Sequence, residues 1–143
     1  MTSPELENLA RIGKLKREAP SAPEFDGLLR SGEARLADAA NPALAPESRF
    51  DLAYNAAHAL ALAALRRLGY RSENRYLAFQ TLPHTLGLQP ATWRVLAKCH
   101  EWRNRAEYEG VFDIDERLLS ELVEAGQALL AAVKALQPPK PQL

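Results

Sequence analysis

"SRFDLAYNAAHALALAALRRLG", Ser48 to Gly69, decides the fold. Phe50, Ala53, Tyr54, Ala57, Ala61, Ala64, Leu65 and Leu68 recur at steps of three and four and form one stripe. That spacing is helical rather than extended. Leu52, Ala56, Ala59 and Ala63 cover much of the other side. A helix that is apolar nearly all round belongs at the centre of a domain. Its many alanines let neighbouring helices approach closely. Ser48 reads as the N-cap and Gly69 as the C-terminal stop.

The same grammar extends in both directions. Ala and Leu dominate the chain while Val, Ile and Thr are scarce, which predicts an all-helical protein. Ser3-Pro4-Glu5 opens a first helix expected to end near Glu18, before Pro20. Ser21-Ala22-Pro23-Glu24 repeats the start signal, and Phe25, Leu28, Leu29 and Leu36 carry a second helix towards Ala39. "NPALAPE", residues 41–47, is a proline-punctuated loop. Residues 72–87 predict a shorter helical segment interrupted at Pro83. Gln89-Pro90 opens the next helix and Gly110 ends it. "VFDID", 111–115, reads as a turn, with Asp113 or Asp115 as the following N-cap. Leu118, Leu122, Ala125, Leu129, Val133 and Leu136 then fall on one face of the last helix. "QPPKPQL", 137–143, predicts a disordered tail. There is no internal repeat. The expected architecture is a single domain, residues 1–136, folded as an antiparallel bundle of five to six helices.

Composition sets outer bounds. The chain has 143 residues, 47% hydrophobic and 25% charged, which suits one globular domain with a real core. Its 18 basic and 18 acidic residues cancel, so a generic electrostatic grip on nucleic acid is not indicated, although a local basic patch stays open. Cys99 is the sole cysteine, so no internal disulfide forms, which fits a reducing cytoplasm. The N-terminal stretch lacks the apolar core of a signal peptide. The longest apolar run, Ala59 to Leu65, is too short to span a bilayer, so no membrane association is expected.

"HEWRNRAEYEG", His100 to Gly110, breaks the pattern. At about 100° per residue, Arg94, Lys98, Glu101, Arg105 and Glu109 share a solvated sector. His100, Arg103, Asn104 and Glu107 instead fall within the apolar arc of Trp93, Leu96, Cys99 and Trp102, with Tyr108 at its edge beside Asn104. Burying such groups without partners costs a few kcal/mol each, as an order of magnitude. They can satisfy one another, Arg103 with Glu107 and His100 with Asn104, line a cleft, or meet an identical cluster across a dimer interface. The bland reading is a structural polar network. The functional one is an anion site: Arg offers a planar donor fork for phosphate, and His titrates near neutrality. His58, His84 and His100 are scattered without metal-ligand spacing, so neither metal nor cofactor is expected. There is also no Gly-rich phosphate loop.

The "RNRAEY" run, Arg103 to Tyr108, preceded by the Ala-rich "AYNAAHALALAALRRLGYR", resembles the HEPN superfamily (higher eukaryotes and prokaryotes nucleotide-binding domain) over about residues 48–136. The resemblance implies a helical bundle that dimerises. It also implies metal-independent RNA cleavage at a composite site where two motifs meet, as in the toxins of toxin–antitoxin pairs. Arg103 matches the motif Arg and Asn104 the polar residue after it. Tyr108 stands where the motif has His, a departure from the pattern. A Tyr, with an ordinary pKa of about 10, is a poor general base at neutral pH. His100, one turn before Arg103, is the alternative imidazole. Arg103 is then expected to stabilise the phosphorane, Asn104 to orient the phosphate, and His100 or Tyr108 to move protons.

Glu107, Arg105, Arg71 and Arg75 complete the candidate binding residues. Arg66, Arg67, Arg71 and Arg75 surround the end of the central helix, either as an RNA-facing patch or as charges complementing its dipole. His58, Trp93 and Trp102 are expected to be packing residues. Two functions follow: an endoribonuclease of the toxin class, with a cognate antitoxin or nucleotidyltransferase partner, and a non-catalytic module that binds a nucleotide or a protein. The intact Arg-Asn pair favours the first. The Tyr108 substitution, the neutral charge and Glu107 within the cluster favour the second.

Overall fold

A computed structural model describes residues 3–110 and 113–140. The chain is essentially all-α: helices α1 (Pro4–Arg11), α2 (Ala22–Ala39), α3 (Pro46–Arg67), α4 (Arg75–Gln80), α5 (Leu82–Thr85), α6 (Pro90–Glu109) and α7 (Glu116–Lys134). The remaining regular structure is one antiparallel pair of two-residue strands, β1 (Lys16–Arg17) and β2 (Tyr70–Arg71), with Lys16 opposite Arg71 and Arg17 opposite Tyr70.

α3 is the central element. Phe50, Ala53, Tyr54, Ala57, Leu60, Ala61, Ala64 and Leu65 are all buried, and so are Ala56, Ala59 and Ala63 on its other side. The N-cap falls three residues before the expected Ser48, and the helix begins at Pro46. Ala45 is the N-cap, Pro46 supplies the preset φ of the first turn, and Glu47 complements the dipole. Gly69 ends it at φ +90°, a conformation that favours glycine.

α2 and α3 form the most extensive helix pair, and α7 packs against both. The two helices approach tightly at Gly32, where an added Cβ would lie 2.7 Å from Leu60 Cγ and 3.3 Å from the Ala56 carbonyl oxygen. α7 buries Leu118, Leu122, Leu129 and Val133 and is capped by Asp115, whose carboxylate accepts from the Arg117 and Leu118 amides. α6 leans on α7 and on α4. Gly110, at φ +68°, ends α6.

Two expectations are corrected here. The first helix stops at Arg11 rather than near Glu18, and the chain turns at Gly13 (φ +80°) into β1. The cause is tertiary. Arg66 is only 1% exposed. It donates to Glu24 Oε1 (2.7 Å) and to the carbonyls of Ala19 (2.7 Å), Glu18 (2.9 Å) and Tyr70 (3.3 Å). Those bonds require an extended chain over residues 16–20. The segment 72–87 is interrupted, as expected, but at Thr81 rather than at Pro83. Asn74 caps α4, Thr81 separates the pair, and Pro83 occupies the first turn of α5. Beyond α7, the Gln137 carbonyl accepts from Arg67 Nε at 2.6 Å, and residues 138–140 adopt no helix or strand. Val111 and Phe112 of the expected turn, and residues 141–143 of the expected tail, lie outside the described residues.

Candidate phosphate site between α3, α4 and α6

The N-terminal half of α3 carries a second, polar stripe that its alanines obscure. Asp51, Tyr54, Asn55 and His58 stand at intervals of three and four and so share one face. That face meets the start of α4 and the C-terminal half of α6. Tyr54 is fully buried. Its hydroxyl is 2.8 Å from His100 Nδ1, and the Asn104 side-chain nitrogen is 3.2 Å from His100 Nε2. The two contacts hold the His100 ring between Tyr54 and Asn104.

Two guanidinium groups stand over the Tyr54 ring, that of Arg103 at 5.0 Å from the centroid and that of Arg75 at 5.7 Å. Arg75 also donates to Asn55 Oδ1 at 2.9 Å. Arg103 has two carboxylates near it, Asp51 and Glu107, each at 3.8 Å, and its side chain is 30% exposed. Both contacts are long for charge-assisted hydrogen bonds. Aromatic rings close the site: Tyr76 is 5.1 Å from His100, and Phe79 packs edge-on against Tyr54 (5.6 Å) and His58 (6.3 Å).

Burial, reinforced by Arg103 and Arg75, holds the His100 imidazole below its ordinary pKa. Burial and the same two arginines push His58 down to about 4. Both rings are therefore neutral at pH 7. Burial raises the Tyr54 phenol, which stays protonated there. The result is a cluster that sets Arg103, Arg75 and Asn104 beside a neutral imidazole. Among the described residues no group of His, Cys, Asp or Glu is placed to hold a metal ion.

A groove of about 480 Å3 continues from Arg103 towards the chain start of α3, lined by Phe50, Asp51, Trp102, Glu107 and Ile114 among others. Phe50 and Trp102 stack at 4.6 Å with a 52° tilt, and Trp102 is half-buried.

The structure brings Arg103, His100, Asn104 and Arg75 together and keeps Glu107 beside Arg103. The cluster is not buried, as the sequence pattern implied: Asn104 and Glu107 are exposed. Only Leu96 and Cys99 of α6 reach the core, and beyond them the helix forms one wall of the open groove. Tyr108 is 83% exposed and makes no hydrogen bond among the described residues. Arg105 pairs with Glu109 (3.2 Å) on the outer face. Arg71 lies at the opposite end of α3, where Glu18 (2.5 Å) and Glu24 (2.8 Å) hold it in the Arg66 network. Asp51, Tyr54, Asn55 and Tyr76 join the site without having been singled out as site residues. His58 is half-buried beside it rather than a plain core residue. The signal for the first three was the polar stripe in an otherwise apolar helix; nothing in the sequence marked Tyr76.

No protein-family model matches the chain, and no curated protein matches it.

Proposed function

We propose that this chain is a HEPN-like domain that binds a phosphate ester of RNA or of a nucleotide on the Arg103–Arg75 cluster where α3, α4 and α6 meet. One observation carries the reading: Arg103 and Arg75 converge on the buried Tyr54 ring, and neither is closed off by a tight carboxylate pair. A phosphate seated there receives the Arg103 fork and the Arg75 guanidinium, with the exposed Asn104 amide free to turn towards it. Binding of a 5′-labelled RNA oligonucleotide, followed by fluorescence anisotropy, tests this. Arg103→Ala should weaken binding by roughly 10-fold or more, the loss expected for a hydrogen bond to a charged group. An unchanged affinity would defeat the phosphate reading.

A second reading, metal-independent cleavage, is favoured by the neutral His100 imidazole beside Arg103. Once Asn104 turns away, Nε2 can take the proton of an RNA 2′-hydroxyl. The 2′-oxygen then attacks phosphorus, the P–O5′ bond breaks, the 5′-oxygen takes a proton from water while His100 returns its own to solvent, and the products are a 2′,3′-cyclic phosphate and a 5′-hydroxyl. Arg103 opposes the charge of the phosphorane. The same reading includes a two-fold pairing of two chains through the exposed end of α6, and a toxin role with a partner antitoxin. Cleavage should survive EDTA and fall about 10²- to 10³-fold in Arg103→Ala. If Tyr108→His instead creates activity absent from the natural chain, the natural protein only binds.

A further inference from the structure

We infer that the groove beyond Arg103 is a base pocket that selects guanine. The inference rests on the phosphate reading above and adds the identity of the nucleotide. The groove continues from Arg103, so a phosphate seated on that side chain places its own nucleoside at the entrance. Its volume, about 480 Å3, lies within the range that holds a small ligand. The floor is Phe50, buried, and the wall is Trp102, half-buried, whose indole offers a stacking surface. Unpaired bases are recognised in this way, by stacking on an aromatic side chain and hydrogen bonding along the base edge.

The polar lining decides which base. Asp51 on α3 and Glu107 on α6 line the groove, each 3.8 Å from Arg103, with side chains 65% and 57% exposed, and Glu47 adds a third carboxylate. Ionised carboxylates only accept hydrogen bonds. Guanine alone presents two adjacent donors on its Watson–Crick edge, N1–H and the N2 amino group, which match the two oxygens of one carboxylate. Adenine and cytosine each place a ring acceptor beside their amino donor, and that acceptor would face a carboxylate. Uracil offers one donor between two carbonyls. Asp51 and Glu107, each 3.8 Å from Arg103, stand at the groove mouth beside the phosphate-binding side chain.

The test is titration of the full-length protein with GMP, AMP, CMP, UMP and inorganic phosphate, read by tryptophan fluorescence and calorimetry. GMP should bind at least about 10-fold more tightly than the other three, from the second carboxylate hydrogen bond. Trp102→Leu should cut GMP affinity by about fivefold or more, as loss of a base stack does, and leave inorganic phosphate unchanged. Asp51→Asn and Glu107→Gln each relieve Arg103 of a carboxylate and can raise affinity for every phosphate. The readout for them is therefore the ratio of GMP to AMP affinity, which should collapse towards one in at least one variant. Four nucleotides that bind equally, or a preference untouched by both carboxylate variants, would overturn the base pocket while leaving the phosphate site standing. No binding of any nucleotide or of phosphate would overturn both. Far-UV circular dichroism of the three variants separates lost recognition from lost fold.

Discussion

Arg66 and Arg103 have the same side chain and opposite fates, and the difference is their partners. Arg66 is 1% exposed and donates to Glu24 and to three backbone carbonyls, so its fork is spent on structure. Arg66→Ala strips those carbonyls of their donor and should cost about 3–5 kcal/mol in urea unfolding. Arg71→Ala, a third exposed in the same network, should cost about 1 kcal/mol or less. A similar loss in the two variants would show that these carbonyls find other donors. Arg103, held only by carboxylates at 3.8 Å, has its fork available for a ligand. Sequence spacing marked Arg103 through the residues around it. It could not rank Arg66 above Arg71, because the carbonyls that fix Arg66 belong to residues 18 and 19, far away in the chain.

At the scale of elements, the α2–α3 contact depends on one missing methyl group. A Cβ at Gly32 would come within 2.7 and 2.8 Å of Leu60, which is fully buried, and 3.3 Å of the Ala56 carbonyl. Leu60 has no solvent to move into. Gly32→Ala should therefore destabilise the protein by about 1–3 kcal/mol, despite the better helix propensity of Ala. Gly27→Ala in the same helix, with nothing within 4 Å of the added Cβ, should be stabilising by a few tenths to about 1 kcal/mol. Thermal melts of the pair check this; equal shifts of the same sign would mean that α2 lifts off α3. The helix bounds follow the capping residues closely where Ser21, Gly69, Gly110 and Asp115 act. They depart where a distant arginine pulls the chain straight, after Arg11, and where Pro46 outranks Ser48.

For the whole molecule, acid is the informative perturbation. His58 is neutral in the native state, with its pKa pushed to about 4, against about 6.5 in an unfolded chain. Between those values the unfolded state binds more protons, so stability should fall as pH drops from about 6.5 towards about 4. His58 contributes at most about 3 kcal/mol to this fall before solvent screening reduces it. His100, also depressed, acts in the same direction. Glu7, Glu18 and Glu24 are held below the usual carboxylate range, Glu7 mainly by Tyr70, Glu18 by Arg71, and Glu24 by Arg66 and Arg71 against its burial. Their stabilisation is present above about 4.5 and lost below it, so they act in a lower window. His58→Asn should flatten the stability curve between pH 6.5 and 4.5 and leave the lower limb intact. A curve unchanged by that substitution would place the acid sensitivity elsewhere.

By itself the sequence determined that the chain is helical, that residues 50–65 are its centre, and that the end of α6 is chemically unlike its beginning. Those properties are local: they follow from side-chain period, capping residues and glycine stops, which act over one or two turns. The tertiary structure alone decided that the α6 cluster is the wall of an open groove and that Arg75 belongs to it while Arg71 does not. It also decided that Tyr54 orients His100. Each of these depends on which faces of α3, α4 and α6 meet, and that is set by how alanines and Gly32 let α3 pack among its neighbours, far from the side chains that make the site.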